Sequence, residues 1–99
     1  MKFPIAIEPG DEDTAFGVVV PDLPGCFSAG DTLEEAYAHA VEAIELWVET
    51  TLDTGGTIPA PGTVQALRRD PELAGWILDM VEVDVSGRLG QESQRLRRR

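Results

Sequence analysis

The amino-acid sequence predicts a small α+β domain with the element order β-β-β-α-α-β: an antiparallel three-stranded sheet, a long helix, a short helix and a fourth strand. Three features carry this prediction. The chain has 99 residues, enough for about one domain. Segments near both ends alternate apolar and polar residues with the period of a strand. Between them, a long segment repeats its apolar residues with the period of an amphipathic helix.

The first two strands are predicted from this alternation. Phe3, Ile5 and Ile7 share one side of the first strand, which is expected to have one buried face. Pro4 has no backbone donor, so it is expected at a sheet edge or where its nitrogen points away from a neighbouring strand. A polar loop leads to a second strand over residues 15–20, whose β-branched run suits a central position.

The segment PDLPGC predicts a chain reversal. Pro24 presets φ at the first central position of a turn, and Gly25 accepts the positive φ that a type II turn requires at the second. A short third strand, residues 27–29, then ends at Gly30. The candidate turn consists of Pro21, Asp22, Leu23, Pro24, Gly25 and Cys26.

Cys26 is the single cysteine of the chain. It is expected to be a small buried hydrophobe, because such a role is usual for a free cysteine at the start of a strand. The lack of a disulfide partner favours a reducing compartment.

The long helix is predicted to begin after Thr32, because Thr32 and Glu35 have the spacing of a capping box. It is expected to end near Asp53, before two glycines that can adopt left-handed conformations. This length is about six turns. Its apolar stripe consists of Leu33, Ala36, Tyr37, Ala40, Ile44, Trp47 and Val48.

The remainder of the chain is predicted to hold a proline-rich connector at residues 58–62, a short helix within residues 63–69 and a last strand over residues 76–85. These elements complete one domain at residues 1–87. Residues 88–99 hold five of the eight positive charges and are expected to form a flexible basic tail.

The overall charge favours a basic protein as the partner. The chain has 18 acidic and 8 basic side chains, a net charge of −10 and a pI near 4.3. Residues 1–67 carry −11 and residues 68–99 carry +1. Repulsion from phosphates argues against nucleic acid and anionic membranes as main partners of the domain. No signal-peptide core and no segment of ~20 apolar residues is present, so a cytoplasmic protein is expected.

Six carboxylates are predicted to form one ridge on the long helix, with no basic residue among them: Glu34, Glu35, Glu42, Glu45, Glu49 and Asp53. A solvated helix face is the simple interpretation. However, like charges three and four residues apart repel one another. A basic partner would relieve that repulsion, so the six residues, together with Asp22 of the turn, are candidate partner contacts.

The other polar residues do not form a convincing reactive site. Asp11, Glu12 and Asp13 lack the spacing of a calcium loop and are interpreted as a solvated hairpin loop. Asp22 and Asp31 could be imagined as an acid/base or Mg²⁺ pair, but Asp31 is more simply a helix-start residue. The chain has one histidine, His39, so no second imidazole can share a metal. We therefore assign no catalytic residue, cofactor site or metal site from the sequence.

With these elements in place, the chain resembles the HicB family of antitoxins. The resemblance is carried by PDLPGC at residues 21–26, GDTLEEA at residues 30–36 and the connector IPAP at residues 58–61. It implies a partial ribonuclease-H-like fold that does not cut RNA. It also implies binding to HicA, a small basic mRNA-cleaving toxin, and assembly into homodimers or higher homo-oligomers. The family often adds a DNA-binding domain, for which the last residues here show no pattern.

The leading hypothesis is thus an antitoxin that neutralises a HicA-type toxin, with autoregulation as a further expectation. Three alternatives stay open. The chain could be an orphan regulatory or structural module. It could be a Mg²⁺-dependent ribonuclease-H-like hydrolase using Asp11, Asp22 and Asp31. It could also be a DNA-binding repressor acting through its arginine tail.

Overall fold

A computed structural model describes residues 1–84. Its strands are β1 (Lys2–Glu8), β2 (Phe16–Val19), β3 (Phe27–Gly30) and β4 (Ile77–Glu82), and its helices are α1 (Leu33–Asp53) and α2 (Val64–Arg68), with one 3-10 turn at Pro71–Leu73. The predicted order β-β-β-α-α-β is confirmed. The last strand, predicted over residues 76–85, is observed at Ile77–Glu82. Residue 85 and the predicted basic tail lie outside the described residues.

The four strands form one antiparallel sheet in the order β3-β2-β1-β4. Ile7 of β1 lies opposite Val18 of β2 and Ile77 of β4, and Phe3 lies opposite Val81. Because directly opposed residues point to the same face, the apolar residues of three strands meet on one side of the sheet. The first strand of the chain, β1, lies inside the sheet, between β2 and β4.

Pro4 is accommodated within this central strand because its nitrogen faces away from β4. Met1 and Val83 exchange two backbone hydrogen bonds, of 2.9 and 2.7 Å. Such pairs alternate along an antiparallel ladder, so Pro4, opposite Met80, belongs to a pair without hydrogen bonds. Its nitrogen points toward β2, whose pairing with β1 starts only at Ala6. Pro4 is therefore not at a sheet edge. It occupies the other expected kind of position, in which its nitrogen points away from a neighbouring strand.

The core lies between the sheet and α1. Its members that are fully buried or nearly so include Phe3, Ile5, Ile7, Val18, Val20, Leu23, Ile44, Val48 and Val83. Burial of each large side chain contributes about 1.5–3 kcal/mol relative to exposure. The predicted helical stripe is confirmed at Ala36, Ala40, Ile44 and Val48, which are buried. Leu33 differs, because at the first helical residue it is 37% exposed.

The expectation of one buried face was wrong for β1, in which all five residues from Phe3 to Ile7 are buried. Pro4 and Ala6 point to the face opposite α1, and α2 packs against β1 and β4. The buried Leu67 of α2 contributes to this contact. The small side chains of Pro4 and Ala6 let α2 approach the sheet closely, so β1 is covered on both sides.

Both ends of α1 follow the predicted capping pattern. The Thr32 side chain accepts a hydrogen bond from the Glu35 N–H at 3.1 Å. The Glu35 carboxylate accepts from the Asp31 N–H at 2.9 Å, one residue earlier than in the standard capping box. At the other end, Gly55 has a φ of +80°. The Gly56 N–H donates to the Thr51 carbonyl at 2.8 Å, which satisfies a carbonyl left open by the helix end.

Candidate partner-binding surface

The helix α1 presents an acidic face directed away from the sheet. Its buried residues define the side that contacts the core. With about 100° per residue, the six predicted carboxylates fall on the opposite side of the helix. All six are exposed or half-buried: Glu34, Glu35, Glu42, Glu45, Glu49 and Asp53. The structure thus brings these candidates onto one surface, which we call the acidic face, and their role as partner contacts stays a prediction.

The reversal predicted from PDLPGC between β2 and β3 is confirmed at Pro24 and Gly25. The Cys26 N–H donates to the Leu23 carbonyl at 3.0 Å, which closes a turn with these two residues at its centre. Gly25 has a φ of +78°, as a type II turn requires at this position.

Pro21 belongs to another turn, immediately before the one at Pro24 and Gly25, which was not predicted from the sequence. The Leu23 N–H donates to the Val20 carbonyl at 3.0 Å, so Pro21 and Asp22 occupy the two central positions. Proline suits the first of these, because its ring fixes φ at a value that the turn needs. Pro21 is exposed to solvent. The predicted reversal is thus made by two consecutive turns, and Pro21 shapes the backbone of the first.

The helix α1 holds this segment in place through a contact that the sequence did not reveal. The indole N–H of Trp47 donates to the Pro24 carbonyl at 2.9 Å. Helical periodicity assigns Trp47 only to the apolar stripe. Beside it, Cys26 is 4% exposed, and its burial raises the pKa of the thiol. The prediction that Cys26 is a small buried hydrophobe is confirmed.

Asp22 is engaged by the proline-rich connector and does not belong to the acidic face. The Gly62 N–H donates to Asp22 Oδ2 at 2.7 Å. A Cβ at position 62 would lie 3.2 Å from Asp22 Oδ1, so glycine allows this close approach. Asp22 therefore ties the turn to the connector. Its proposed contact with a partner stays a prediction, and its structural role is additional to it.

Two exposed apolar residues, one on β3 and one on α1, were not among the predicted site residues. Phe27 is 65% exposed and Leu46 is 63% exposed. Both residues line an apolar groove of about 270 Å³ together with Ala43 and Trp47. The Phe27 side chain itself lies opposite Val19, on the face of the sheet away from α1. Around the helix axis, Leu46 lies about 220° from the centre of the apolar stripe, so helical periodicity could have predicted that it is exposed. No comparable local signal exists for Phe27, which begins β3.

The other ionisable groups make local contacts. Asp11 Oδ1 accepts from the Asp13 N–H at 2.8 Å within the hairpin loop. The Tyr37 hydroxyl donates to Asp79 Oδ2 at 2.7 Å, and this hydrogen bond raises the pKa of Tyr37. Among residues 1–84, no three or more His, Cys, Asp or Glu side chains are grouped so that they could hold a metal ion. In the same part of the chain, no helix combines the length and apolar character needed to cross a membrane.

The sequence and the fold are similar to those of known antitoxins. Residues 3–97 match the family described as HicB-like antitoxin of bacterial toxin-antitoxin system. Antitoxin HicB 1 of Photorhabdus laumondii subsp. laumondii is 30% identical, over 99% of this chain and 69% of its own length.

Solved structures agree with this match. The Burkholderia pseudomallei antitoxin HicB has a TM-score of 0.78 and 40% identity, over 87% of this chain and 65% of that chain. This chain thus spans just under two thirds of that antitoxin. A chain of a HicA3 and HicB3 toxin-antitoxin complex has a TM-score of 0.73 and 34% identity, over 85% of this chain and 99% of that chain.

Proposed function

Because this chain belongs to the HicB-like antitoxin family of bacterial toxin-antitoxin systems, we propose that it binds and neutralises a small, basic, mRNA-cleaving toxin of the HicA type. The observation that carries the proposal is the likeness to a chain of the HicA3 and HicB3 complex, which this chain matches over nearly that chain's whole length. A shared fold and a shared sequence over that length support a shared mode of action.

The charge distribution supports a cationic partner. Residues 1–84 hold three basic and seventeen acidic side chains, a net charge of −14. The helix α1 contains neither Lys nor Arg, and its acidic face is turned to solvent. A toxin that binds RNA needs a positive surface for phosphates. An acidic face attracts the same surface, speeds the encounter and competes with RNA for it.

In this proposal the chain neutralises the toxin by binding to it in competition with RNA, and it catalyses no reaction on RNA. Two of the three carboxylates considered for a hydrolase already accept backbone hydrogen bonds, Asp11 from Asp13 and Asp22 from Gly62. Two-metal hydrolysis requires carboxylates that converge on ions about 3.5–4 Å apart. The local engagement of Asp11 and Asp22 supports a binding role.

The experiment is an RNA cleavage assay with the HicA-type protein encoded beside this chain. We expect cleavage by the toxin to stop when this chain is added in equal amount, and to continue when an unrelated acidic protein is added. Undiminished cleavage together with no complex on size-exclusion chromatography would reject the proposal.

Charge variants test the acidic face separately. Replacing Glu42→Gln and Glu45→Gln together removes two charges with little change in shape. The association rate should fall about threefold or more at low ionic strength, and the difference should shrink as salt is added. The matched control is Glu12→Gln with Asp13→Asn, which removes two charges from the hairpin loop. Equal association rates for the two pairs would leave the antitoxin role intact but remove the acidic face from it.

Three finer expectations accompany the proposal. Homodimers or higher homo-oligomers are expected from the family resemblance, and light scattering would test them. Cytoplasmic location stays a prediction from the sequence. Autoregulation through operator DNA also stays a prediction, and the arginines that would support it lie outside the described residues.

A further inference from the structure

Strand β3 is an outer strand of the sheet, so one of its edges has no strand beside it within residues 1–84. The Val20 N–H donates to the Cys26 carbonyl at 3.1 Å, which shows that Cys26 points its backbone groups toward β2. Backbone direction alternates along a strand, so Ser28 also points toward β2. The backbone groups of Phe27 and Ala29 consequently point outward, to the free edge.

The helix α1 already engages one of these outward groups. His39 Nδ1 lies 2.6 Å from the Ala29 carbonyl oxygen. Because a carbonyl can only accept, Nδ1 carries the proton and donates it to this bond. The contact fixes the edge against α1. It leaves the Phe27 N–H, the Phe27 carbonyl and the Ala29 N–H as the groups that a further strand would pair with.

The sequence of β3 lacks two of the usual protections of an outer strand, a charged residue and a proline. Proteins commonly block such edges with charged residues or proline. Strand β3 reads FSAG and has neither, whereas the opposite outer strand, β4, contains Asp79 and Glu82. Of the two outer strands, β3 is therefore the one suited to pairing with another chain.

A groove between β3 and α1 runs along this edge. Its two parts, of about 270 and 380 Å³, share Ala43 and Leu46 in their lining. Leu46 is 63% exposed on α1, and Phe27 is 65% exposed on the other face of the sheet, with Val19 opposite it. A strand added beside β3 would place alternate side chains on these two faces. Both exposed apolar residues would then be covered.

The charges around the groove select a basic occupant. Glu42 lines the groove together with Leu46, and the helix that carries them has no Lys or Arg. A second copy of this chain, paired across a two-fold axis, would bring two such helices together and two Glu42 carboxylates into proximity. Like charges would oppose that arrangement, whereas Lys or Arg beside an apolar strand would be attracted.

We propose that the partner docks by adding an extended, basic segment to the free edge of β3, with its apolar side chains seated against Leu46 and Phe27. This inference rests on the proposed function, in which the partner is the toxin. The main-chain bonds of the added strand would supply affinity, and the groove and Glu42 would supply selectivity.

Ala29→Pro tests the added strand, because it removes the outward Ala29 N–H and leaves the β2–β3 ladder unchanged. Ala29→Thr is the matched control that keeps the donor. We expect Ala29→Pro to weaken toxin binding at least tenfold in calorimetry, with Ala29→Thr within twofold of the parent chain. Leu46→Glu should also weaken binding at least tenfold. Its control is Ala66→Glu, which adds the same charge at an exposed position of α2, a helix that packs against β1 and β4 and does not line the groove.

Amide hydrogen exchange on the unaltered chain gives a measurement that needs no variant. The Phe27 and Ala29 amides should exchange rapidly in the free chain and at least tenfold more slowly in the complex. If the parent chain binds toxin and these amides stay unprotected, or if both test variants bind like their controls, the inference is wrong and the proposed function stands. If Ala29→Pro dissociates a homodimer without weakening toxin binding, the edge belongs to a second copy and the inference is also wrong. A parent chain that binds no toxin overturns both.

Discussion

Replacing Asp22 with alanine tests whether the PDLPGC segment depends on the connector. The Asp22 carboxylate accepts a 2.7 Å hydrogen bond from the Gly62 N–H. A hydrogen bond to a charged group contributes about 1.5–3 kcal/mol. Because Asp22 is half-buried, we expect a loss of unfolding free energy near the lower end, about 1.5 kcal/mol. In a domain of this size such a loss lowers Tm by about 6–12 °C.

The assay is urea denaturation followed by tryptophan fluorescence. Trp47 donates to Pro24 in the same segment, so its emission reports on this region as well as on global unfolding. Asp22→Asn keeps an acceptor oxygen and should lose less than half as much as Asp22→Ala. Glu12→Ala, in the exposed hairpin loop, should change stability by less than about 0.5 kcal/mol. If Asp22→Ala is as stable as Glu12→Ala, the connector does not hold the turn and our argument for Asp22 is wrong.

Three further variants or titrations test other parts of the structure. Ile44→Ala removes a fully buried side chain and should cost about 2–5 kcal/mol in urea denaturation, whereas Leu46→Ala, on the exposed side of the same helix, should cost less than about 0.5 kcal/mol. Thr32→Ala removes the helix cap and should cost about 1 kcal/mol by the same method, with Thr32→Ser close to the parent. The hydrogen bond to Asp79 raises the pKa of Tyr37, so absorbance titration of this single tyrosine should give a midpoint above about 10, which Asp79→Ala lowers. Since the folded state then holds its proton more tightly than the unfolded state, stability should fall as pH rises through that range.

The local elements were predictable because local rules determine them. The cap at Thr32, the helix end before Gly55 and the positive φ at Gly25 each follow from residue types a few positions apart. The order of strands and helices followed in the same way. The acidic face was also predictable, because helical periodicity alone determines which side of α1 the carboxylates occupy.

The long-range contacts were not predictable from such patterns. Asp22 and Gly62 are 40 residues apart, and Tyr37 and Asp79 are 42 residues apart. No periodicity links positions at that separation. The burial of both faces of β1 depends on α2, whose packing site is set by the whole sheet. The groove beside β3 likewise arises only when the edge strand and α1 come together.

The most direct test of the antitoxin role is a titration of toxin activity. A fixed amount of the HicA-type protein is mixed with increasing amounts of this chain, and the initial rate of RNA cleavage is measured. We predict a linear decline in rate that reaches zero at a fixed, small molar ratio, as tight capture requires. A cleavage rate that stays constant through a tenfold excess of this chain would show that the chain does not capture the toxin.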